Sequence, residues 1–577
     1  MAKEKEWRLR LPGDPENVTR LSAELGIDSV LASLLVNRGV HTFEEARSFF
    51  RPSLAALHDP FLMKDMDKAV ERLEKAISTG EKILVYGDYD VDGTTAVALV
   101  YSFIRNLTPE VDFYIPDRYD EGYGVSRKGI DWACENNFGL IITLDCGIKA
   151  IDKVAYAADK GIDIIICDHH LPEEELPAAA AVLDPKRGDC DYPFDDLSGC
   201  GVGFKLVQAY SQKNGIPFES LIPLLDLLVV SIASDLVSVV GENRVLAHFG
   251  LKRLNEEPRI GLRAMINLAN LEPGHVSIDD IVFKIGPRIN AAGRMESGRL
   301  AVELLTAESE SVAVSIGSKI NDNNNERKSI DREITKDALD MVQNGTCCTS
   351  ANAVIVYGPE WNKGVVGIVA SRLVETFYKP AFVLTKSNGF VTGSARSVRG
   401  FDLYEAISSC ADLLENFGGH IYAAGLTLRE ENLPEFVKRI DAYVGAHISD
   451  EMSTPVIDVD SEINFAQITP KFFRILKQFQ PFGPGNSAPI FLTKNVYDDG
   501  NGRKVGPGGQ HLKLELIQES QPYHQISAIA FNMASLFDHI RNGNPVDICY
   551  CVVENYYRGN STIQLRIKDM REREEII

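Results

Sequence analysis

The sequence is short of several things, and each shortage narrows its function. None of its ten cysteines belongs to a Cys-x-x-Cys pair, and the adjacent Cys347-Cys348 and alternating Cys549/Cys551 have poor zinc spacing. A structural zinc site and a disulfide scaffold are therefore set aside, and a reducing cytoplasm is expected. Met1-Ala-Lys-Glu-Lys-Glu leads into no apolar run, so neither a secretory signal nor an organellar presequence is expected. Leu221–Val240 is the one stretch long enough to raise a membrane question, but it contains Pro223, Asp226 and Asp235. An aspartate near a bilayer centre costs ~3 kcal/mol, so the stretch reads as a buried helix of a soluble domain, with no membrane partner. Cations are also scarce: 60 Lys+Arg stand against 82 Asp+Glu, a net charge of −22. That balance argues against wholesale coating of nucleic acid. From 455 to 577 the count is 13 against 14, so the excess acid lies in the first 454 residues and any polyanion site is local.

What is present is the profile of a soluble globular protein, 45% hydrophobic and 25% charged over 577 residues, enough for three or four domains. Residues 1–75 carry helix-like apolar spacing without a cluster of reactive groups and read as a helical lead-in. From residue 82 the pattern becomes strand, then helix, repeatedly: Ile83–Tyr86, Asp112–Ile115, Leu140–Leu144 and Ile162–Cys167. Such alternation means βαβ units and a mostly parallel sheet. In these sheets functional residues gather at the carboxyl ends of the strands.

Each run does end in chemistry. Asp88, Asp90 and Asp92 follow Ile83–Tyr86 at alternate positions, and an extended chain would place all three carboxylates on one side. Carboxylates that close repel one another unless a cation sits among them. Hard oxygen ligands suit magnesium or manganese, and a strand leading into a helix N-terminus also suits phosphate oxygens. An acidic turn is the alternative, since Asp-Gly is a common turn dipeptide. Leu140–Leu144 ends in Asp145-Cys146-Gly147, Ile162–Cys167 in Asp168-His169-His170, and the apolar Leu225–Ala233, of either type, in Asp235. Singly these are capping residues or a surface histidine pair. Jointly they are the inventory of a two-metal site, with cations ~3.5–4 Å apart that clamp both oxygens of a phosphoryl displacement.

Asp88-Tyr-Asp90-Val-Asp92-Gly, Asp145-Cys-Gly, Asp168-His169-His170 and Ala233-Ser-Asp235 resemble the successive motifs of the DHH phosphoesterases. The resemblance continues through Gly286-Pro287-Arg288-Ile289-Asn290-Ala291-Ala292-Gly293-Arg294, Trp361–Arg372, Gly393-Ser394-Ala395-Arg396-Ser397 and Phe417-Gly418-Gly419-His420, and so covers essentially the whole chain. It is greatest with the single-strand-specific exonuclease members. It implies a hydrolase with two divalent ions, Mn2+ or Mg2+, that removes nucleotides from the 5′ end of single-stranded DNA in repair and recombination. Asp88, Asp90, Asp92, Asp145, His169 and Asp235 are then the metal ligands, with Asp145 bridging, and His170 neutralises the scissile phosphate. One departure is visible: many DHH relatives carry a histidine where this chain has Tyr86, so Asp90 and Asp92 stand ahead of Asp88 as ligands.

The resemblance also assigns Arg118, Arg288, Arg294, Ser394, Arg396 and His420 to the phosphates of the strand. On the residues alone, Arg118 suits a phosphate or a salt bridge to Asp117 or Asp120, and Arg288 and Arg294 suit an anionic backbone or pairing with neighbours such as Glu296. Glu308–Val342, helix-compatible from Lys319 to Met341, reads as a solvated connector with no nucleotide role for Asn321–Asn325. Ala353–Tyr357, Ala381–Leu384 and Phe390–Ser394 surround the helix Val365–Phe377 in a second, smaller α/β domain. After Pro455 alternating strands such as His511–Ile517 suggest a small barrel. Lys513, Arg558, Arg566 and Lys568 with Tyr556 and Tyr557 supply the cations and π-faces that OB folds use on single strands.

The expected architecture is thus α/β: a lead-in (1–75), a mostly parallel-sheet DHH domain (76–310), a connecting helix (311–345), a DHH-associated domain (346–452) and an OB-type β-barrel (453–577). A helicase and a single-strand-binding protein are expected helpers of a monomer. Two competing readings are a DHH phosphodiesterase for short oligonucleotides or cyclic dinucleotides, and a non-catalytic repair scaffold.

Overall fold

The β-branched runs after residue 82 pair side by side as parallel strands. In the computed structural model, which describes residues 4–345, 351–557 and 559–573, they are β1 (Lys82–Gly87), β2 (Val111–Tyr114), β3 (Phe138–Leu144), β4 (Asp163–Cys167) and β5 (Ala181–Leu183). Cys347, Cys348 and Arg558 lie outside the described residues, as does the side chain of Tyr557. The sheet order is β2-β1-β3-β4-β5, every neighbour parallel, with Tyr86 in register with Tyr114 and Thr143. Ile83, Leu84, Val85 and Tyr86 are all buried, as strands covered on both faces require. The carboxyl ends therefore line up along one edge of the sheet.

One expectation is corrected here. The chain does not stay extended through the first aspartates: β1 stops at Gly87 and helix α1 (Val91–Arg105) begins with Asp90 as its N-cap, accepting from the Gly93 amide at 3.0 Å. A side-chain oxygen that satisfies an orphan amide starts the helix early, so Asp92 comes from its first turn. Leu225–Ala233, left open between strand and helix within the stretch read as a buried helix, is helical and buried: α3 (Leu225–Asp235) delivers Asp235 from a helix end. β5 was absent from the sequence inventory.

The chain divides into two compact units. The first (Met1–Glu6, His58–Val237, Phe249–Pro455) holds the parallel sheet, helices α2 (Gly199–Lys213), α3 and α4 (Gly286–Met295), and a second sheet. Joining the two sheets in sequence is α5 (Glu310–Asn344), which matches the expected bounds to within one residue but is not a solvated rod, since Ile320, Asn324, Arg327, Asp331, Ile334 and Ala338 on it are buried. The second sheet runs β9 (Leu414–His420), β10 (Ala423–Leu428), β8 (Phe390–Arg396), β7 (Ala381–Ser387), β6 (Val354–Tyr357), and only β6 and β7 are parallel. Its core includes Phe382, Leu384 and Phe436.

The barrel of the second unit (Trp7–Leu57, Ser238–His248, Val456–Ile577) is built on five long strands, β11 (Phe491–Asp498), β12 (His511–Gln518), β13 (Gln521–Ala530), β14 (Val546–Tyr557) and β15 (Asn560–Glu572). They run β11-β14-β15-β13-β12, and β12 pairs back onto β11, which closes an OB-type barrel. Residues 1–75 do not form one lead-in. Leu21, Leu31, Leu34 and Leu35 share a core with Phe465, Phe479 and Phe491 of the barrel, whereas His58 onward belongs to the first unit. Arg244 is buried in the second unit, its guanidinium 3.9 Å over the Phe49 ring and donating to the carbonyls of Phe479 and Phe49 at 2.9 and 3.1 Å. Among the described residues no helix is long and apolar enough to cross a membrane.

Candidate active site

Acid and imidazole converge at the carboxyl edge of the parallel sheet. The Asp92 carboxylate is fixed by the first amides of α2, Gly199 at 2.7 Å and Cys200 at 2.9 Å, and by the Ser231 hydroxyl at 2.7 Å. Asp145, in the left-handed region at φ 59°, follows β3 directly. His169 Nε2 lies 3.1 Å from Asp145 Oδ1, 3.6 Å from Asp235 Oδ2 and 3.7 Å from Asp92 Oδ2. His170 Nδ1 is 2.8 Å from Asp168 Oδ1 and 3.9 Å from Asp145 Oδ1. Asp88 accepts the Gly124 amide at 3.3 Å.

The electrostatics are those of a site short of positive charge. Burial, followed by a neighbouring aspartate, pushes Asp88, Asp90, Asp145 and Asp235 above the usual carboxylate range. Asp168 is the exception: against the pull of burial, His170 beside it and the Ile148 amide hold it at about 2. Asp88 Oδ2 and His169 Nδ1 are buried without a hydrogen-bond partner. Asp145, His169 and His170, and again Asp92, His169 and Asp235, each bring one ligand atom within 4.8 Å of the others. Carboxylate oxygens mixed with imidazole, crowded and underneutralised, fit Mn2+ or Mg2+. Asp88 and Asp90 lie beside these two groups without joining them, and His169 is shared by both.

The opposite imbalance lies next to it. Arg294 donates to the Gly364 carbonyl at 2.7 Å, and burial, reinforced by Arg118, Arg327 and Arg396, pushes its guanidinium down to about 9. Arg396 donates to Ser394 Oγ at 2.7 Å. Arg118 stacks 4.9 Å over Tyr89, while Asp117 accepts the amides of Tyr119 and Asp120 instead of pairing with it. Among the described residues none of Arg118, Arg294 and Arg396 has an ion-pair partner. A Cβ at Gly367 would stand 3.0 Å from Ser394 Oγ and 3.1 Å from an Arg396 nitrogen, so glycine is what lets the helix Val366–Phe377 approach them. The His420 ring lies parallel to that of His170, 6.5 Å away. Arg288 is not brought into this group: it bonds Asn321 Oδ1 at 3.1 Å and the Lys284 carbonyl at 2.7 Å. Glu296 pairs with Lys319, not with either arginine.

Two residues escaped the sequence reading. Tyr123 donates to the Asp145 carbonyl at 3.0 Å and stands 3.2 Å from His170 Nε2. Its signal is the bracket of Gly122 and Gly124, both at positive φ (83° and 78°), a turn only glycine adopts freely. Arg327 comes from the connecting helix and bonds the buried Asn324, in the stretch read as having no nucleotide role.

Three family models match the chain: the DHH family N-terminal domain over residues 82–232, the DHHA1 domain over 350–446 and the RecJ OB domain over 459–569. The single-stranded-DNA-specific exonuclease RecJ of Bacillus subtilis (strain 168) is 39% identical over 99% of this chain and 71% of its own length. The RecJ of Haemophilus influenzae is 32% identical over 89% of this chain and 92% of its own. The crystal structure of RecJ from Thermus thermophilus in complex with Mn2+ superposes with a TM-score of 0.83 at 26% identity, covering 99% of this chain and 80% of that one. The complex with Mg2+ gives 0.77 at 26% identity over 99% and 79%.

Proposed function

Because this chain belongs to the RecJ family of single-stranded-DNA-specific exonucleases, we propose that it hydrolyses single-stranded DNA from the 5′ end to mononucleotides with Mn2+ or Mg2+ as cofactor. The observation that carries the reading is the adjacency of two unbalanced charge clusters, acids for the cations and arginines for a phosphate. Asp88, Asp90, Asp92, Asp145, His169 and Asp235 would hold the two ions, with Asp145 Oδ1 3.1 Å from His169 Nε2 and 3.9 Å from His170 Nδ1 among them. Bound there, divalent ions supply charge neutralisation and activation of water for in-line displacement.

The side chains do the rest. Asp168 raises His170 above its ordinary value against the effect of burial, so the charge of His170 neutralises a non-bridging oxygen of the scissile phosphate. Tyr123 holds the imidazole from its other face. Arg118, Arg294, Arg396 and Ser394 hold the 5′-terminal phosphate, whose charge they lack in the protein itself, and a guanidinium suits it bidentately. His420 and, through the connecting helix, Arg288 border the strand. The barrel is of the type that tracks single strands through cations and aromatic faces. The reading carries with it a cytoplasmic monomer helped by a helicase and a single-strand-binding protein.

Time-resolved degradation of a 5′-labelled single strand with Mn2+, beside the 3′-labelled strand, the duplex and the Asp145→Ala protein, tests it. Immediate release of labelled mononucleotide from the 5′-labelled strand alone, lost in the variant, is expected. Binding without cleavage by the wild-type protein, or cleavage confined to dinucleotides, overturns it.

A further inference from the structure

The two edge strands of the parallel sheet, β2 and β5, both lead into a cation: Arg118 after β2 and Lys186 after β5. Four inter-strand spacings separate them, about 19 Å at ~4.8 Å each. Asp88, Asp145 and His169 come from the strand ends between. Arg118 acts on Asp88 at one end of the acid cluster, and the Lys186 charge acts on Asp235 and His169 at the other and on His420 above.

Lys186 is presented by a turn with little freedom. The buried Asp184 accepts the Lys186 amide at 2.8 Å, and the Arg187 amide bonds the Asp184 carbonyl at 3.3 Å across Pro185, whose ring fixes φ. Arg187 is buried and pinned by Asp65 at 2.7 Å, Asp189 at 2.8 Å and the Val182 carbonyl at 2.6 Å. Arg187 is thus committed to Asp65 and Asp189, whereas Lys186, half-exposed, has no ion-pair partner among the described residues, although its charge also acts on Asp184. A rigid turn that leaves one ammonium unpaired beside a hydrolytic centre is built for an anion from outside.

We propose that Lys186 grips the phosphate next after the scissile one on its 3′ side, so that the strand is held at both edges of the sheet. The assignment rests on the exonuclease reading, in which the arginines take the 5′-terminal phosphate. A strand entering there and crossing the acid cluster leaves over β5, and the span between the edges exceeds one nucleotide step.

The test compares a 5′-phosphorylated dinucleotide, which ends before that phosphate, with the trinucleotide that adds it. Lys186→Met raises KM for the trinucleotide about tenfold and severalfold more than for the dinucleotide, with kcat held, as loss of one charge-assisted contact requires. Lys186→Arg restores most of it. A neutral methylphosphonate at the added linkage costs the wild-type protein the same factor and costs Lys186→Met nothing further. Equal losses on both substrates, or a full methylphosphonate penalty surviving in Lys186→Met, overturn the assignment. A wild-type protein that releases no mononucleotide from either substrate instead brings down the exonuclease reading, and the assignment with it.

Discussion

The acid cluster and the arginine cluster of the first unit are both unbalanced, but they are built differently. The acids hang from strand ends, from the first turn of α1 and, at Asp235, from the last turn of α3, and Asp92 by itself takes two backbone amides and a hydroxyl. Such a cluster is locked in shape before any cation arrives. The arginines come from a loop, from α4, from α5 and from β8: Arg294 and Arg327 each make one bond, to Gly364 and Asn324, and Arg396 bonds Ser394 and its neighbour's carbonyl. The first is suited to a resident charge and the second to one that comes and goes with each turnover.

The comparison breaks most visibly in kinetics. Asp145→Ala is expected to lower kcat at least ~10³-fold, since it removes charge that shapes the reacting centre, while binding of a 5′-phosphorylated strand persists. Rate assays and gel shifts on one preparation check this, and a loss of binding equal to the loss of rate would contradict the division of labour. Arg294→Met should act the other way, with a ~10–100-fold fall in kcat/KM through KM on a 5′-phosphorylated strand and a smaller fall on a 5′-hydroxyl strand. Its melting temperature should not drop, because the variant deletes a buried charge that its arginine neighbours already disfavour.

Cofactor removal is a milder test. EDTA should lower the melting temperature of the wild-type protein and Mn2+ restore it, by ~2.7 kcal/mol when the ion stands at a hundred times its dissociation constant. Asp145→Ala should show little of this response in a thermal melt. Inorganic phosphate should produce a smaller rise that disappears in Arg294→Met.

The smallest effect concerns Asp184, which burial, with Asp168 adding, raises to about 7. Between the unfolded value near 3.8 and about 7 the folded chain binds more protons, so this group's contribution makes stability fall as pH rises through that window. Asp184→Asn keeps the acceptor for the Lys186 amide and removes the charge. In EDTA it should melt a few degrees higher than wild type at pH 8 and alongside it near pH 4. An equal gap at both pH values would assign the difference to packing.

Much of this was legible in the sequence because strand ends announce themselves. Ile83–Tyr86, Leu140–Leu144 and the run before Asp168 lie inside β1, β3 and β4, and the polar residues after them stand at the sheet's carboxyl edge. What was hidden has local causes. A capping aspartate ended the extended chain before Asp92, and a helix apolar on all sides, α3, shows no period that separates it from a strand. β5 has three residues, too few for a pattern, and with it Asp184 and Lys186 went unnoticed. Arg327 was masked because a long polar helix reads as solvated until a second domain covers one side of it.

The second unit draws on three separate stretches of chain, and this has a consequence for synthesis. Leu21, Leu31 and Leu34 leave the ribosome early, yet the aromatic residues that cover them, Phe465, Phe479 and Phe491, are translated some four hundred residues later. At ~5–20 residues per second that is a wait of roughly 20–90 s with an apolar helical segment uncovered. Until then the amino-terminal helices have no native apolar partner from the barrel. A deletion of the carboxyl-terminal barrel would make that exposure permanent, and its insolubility would say nothing about where DNA is cut.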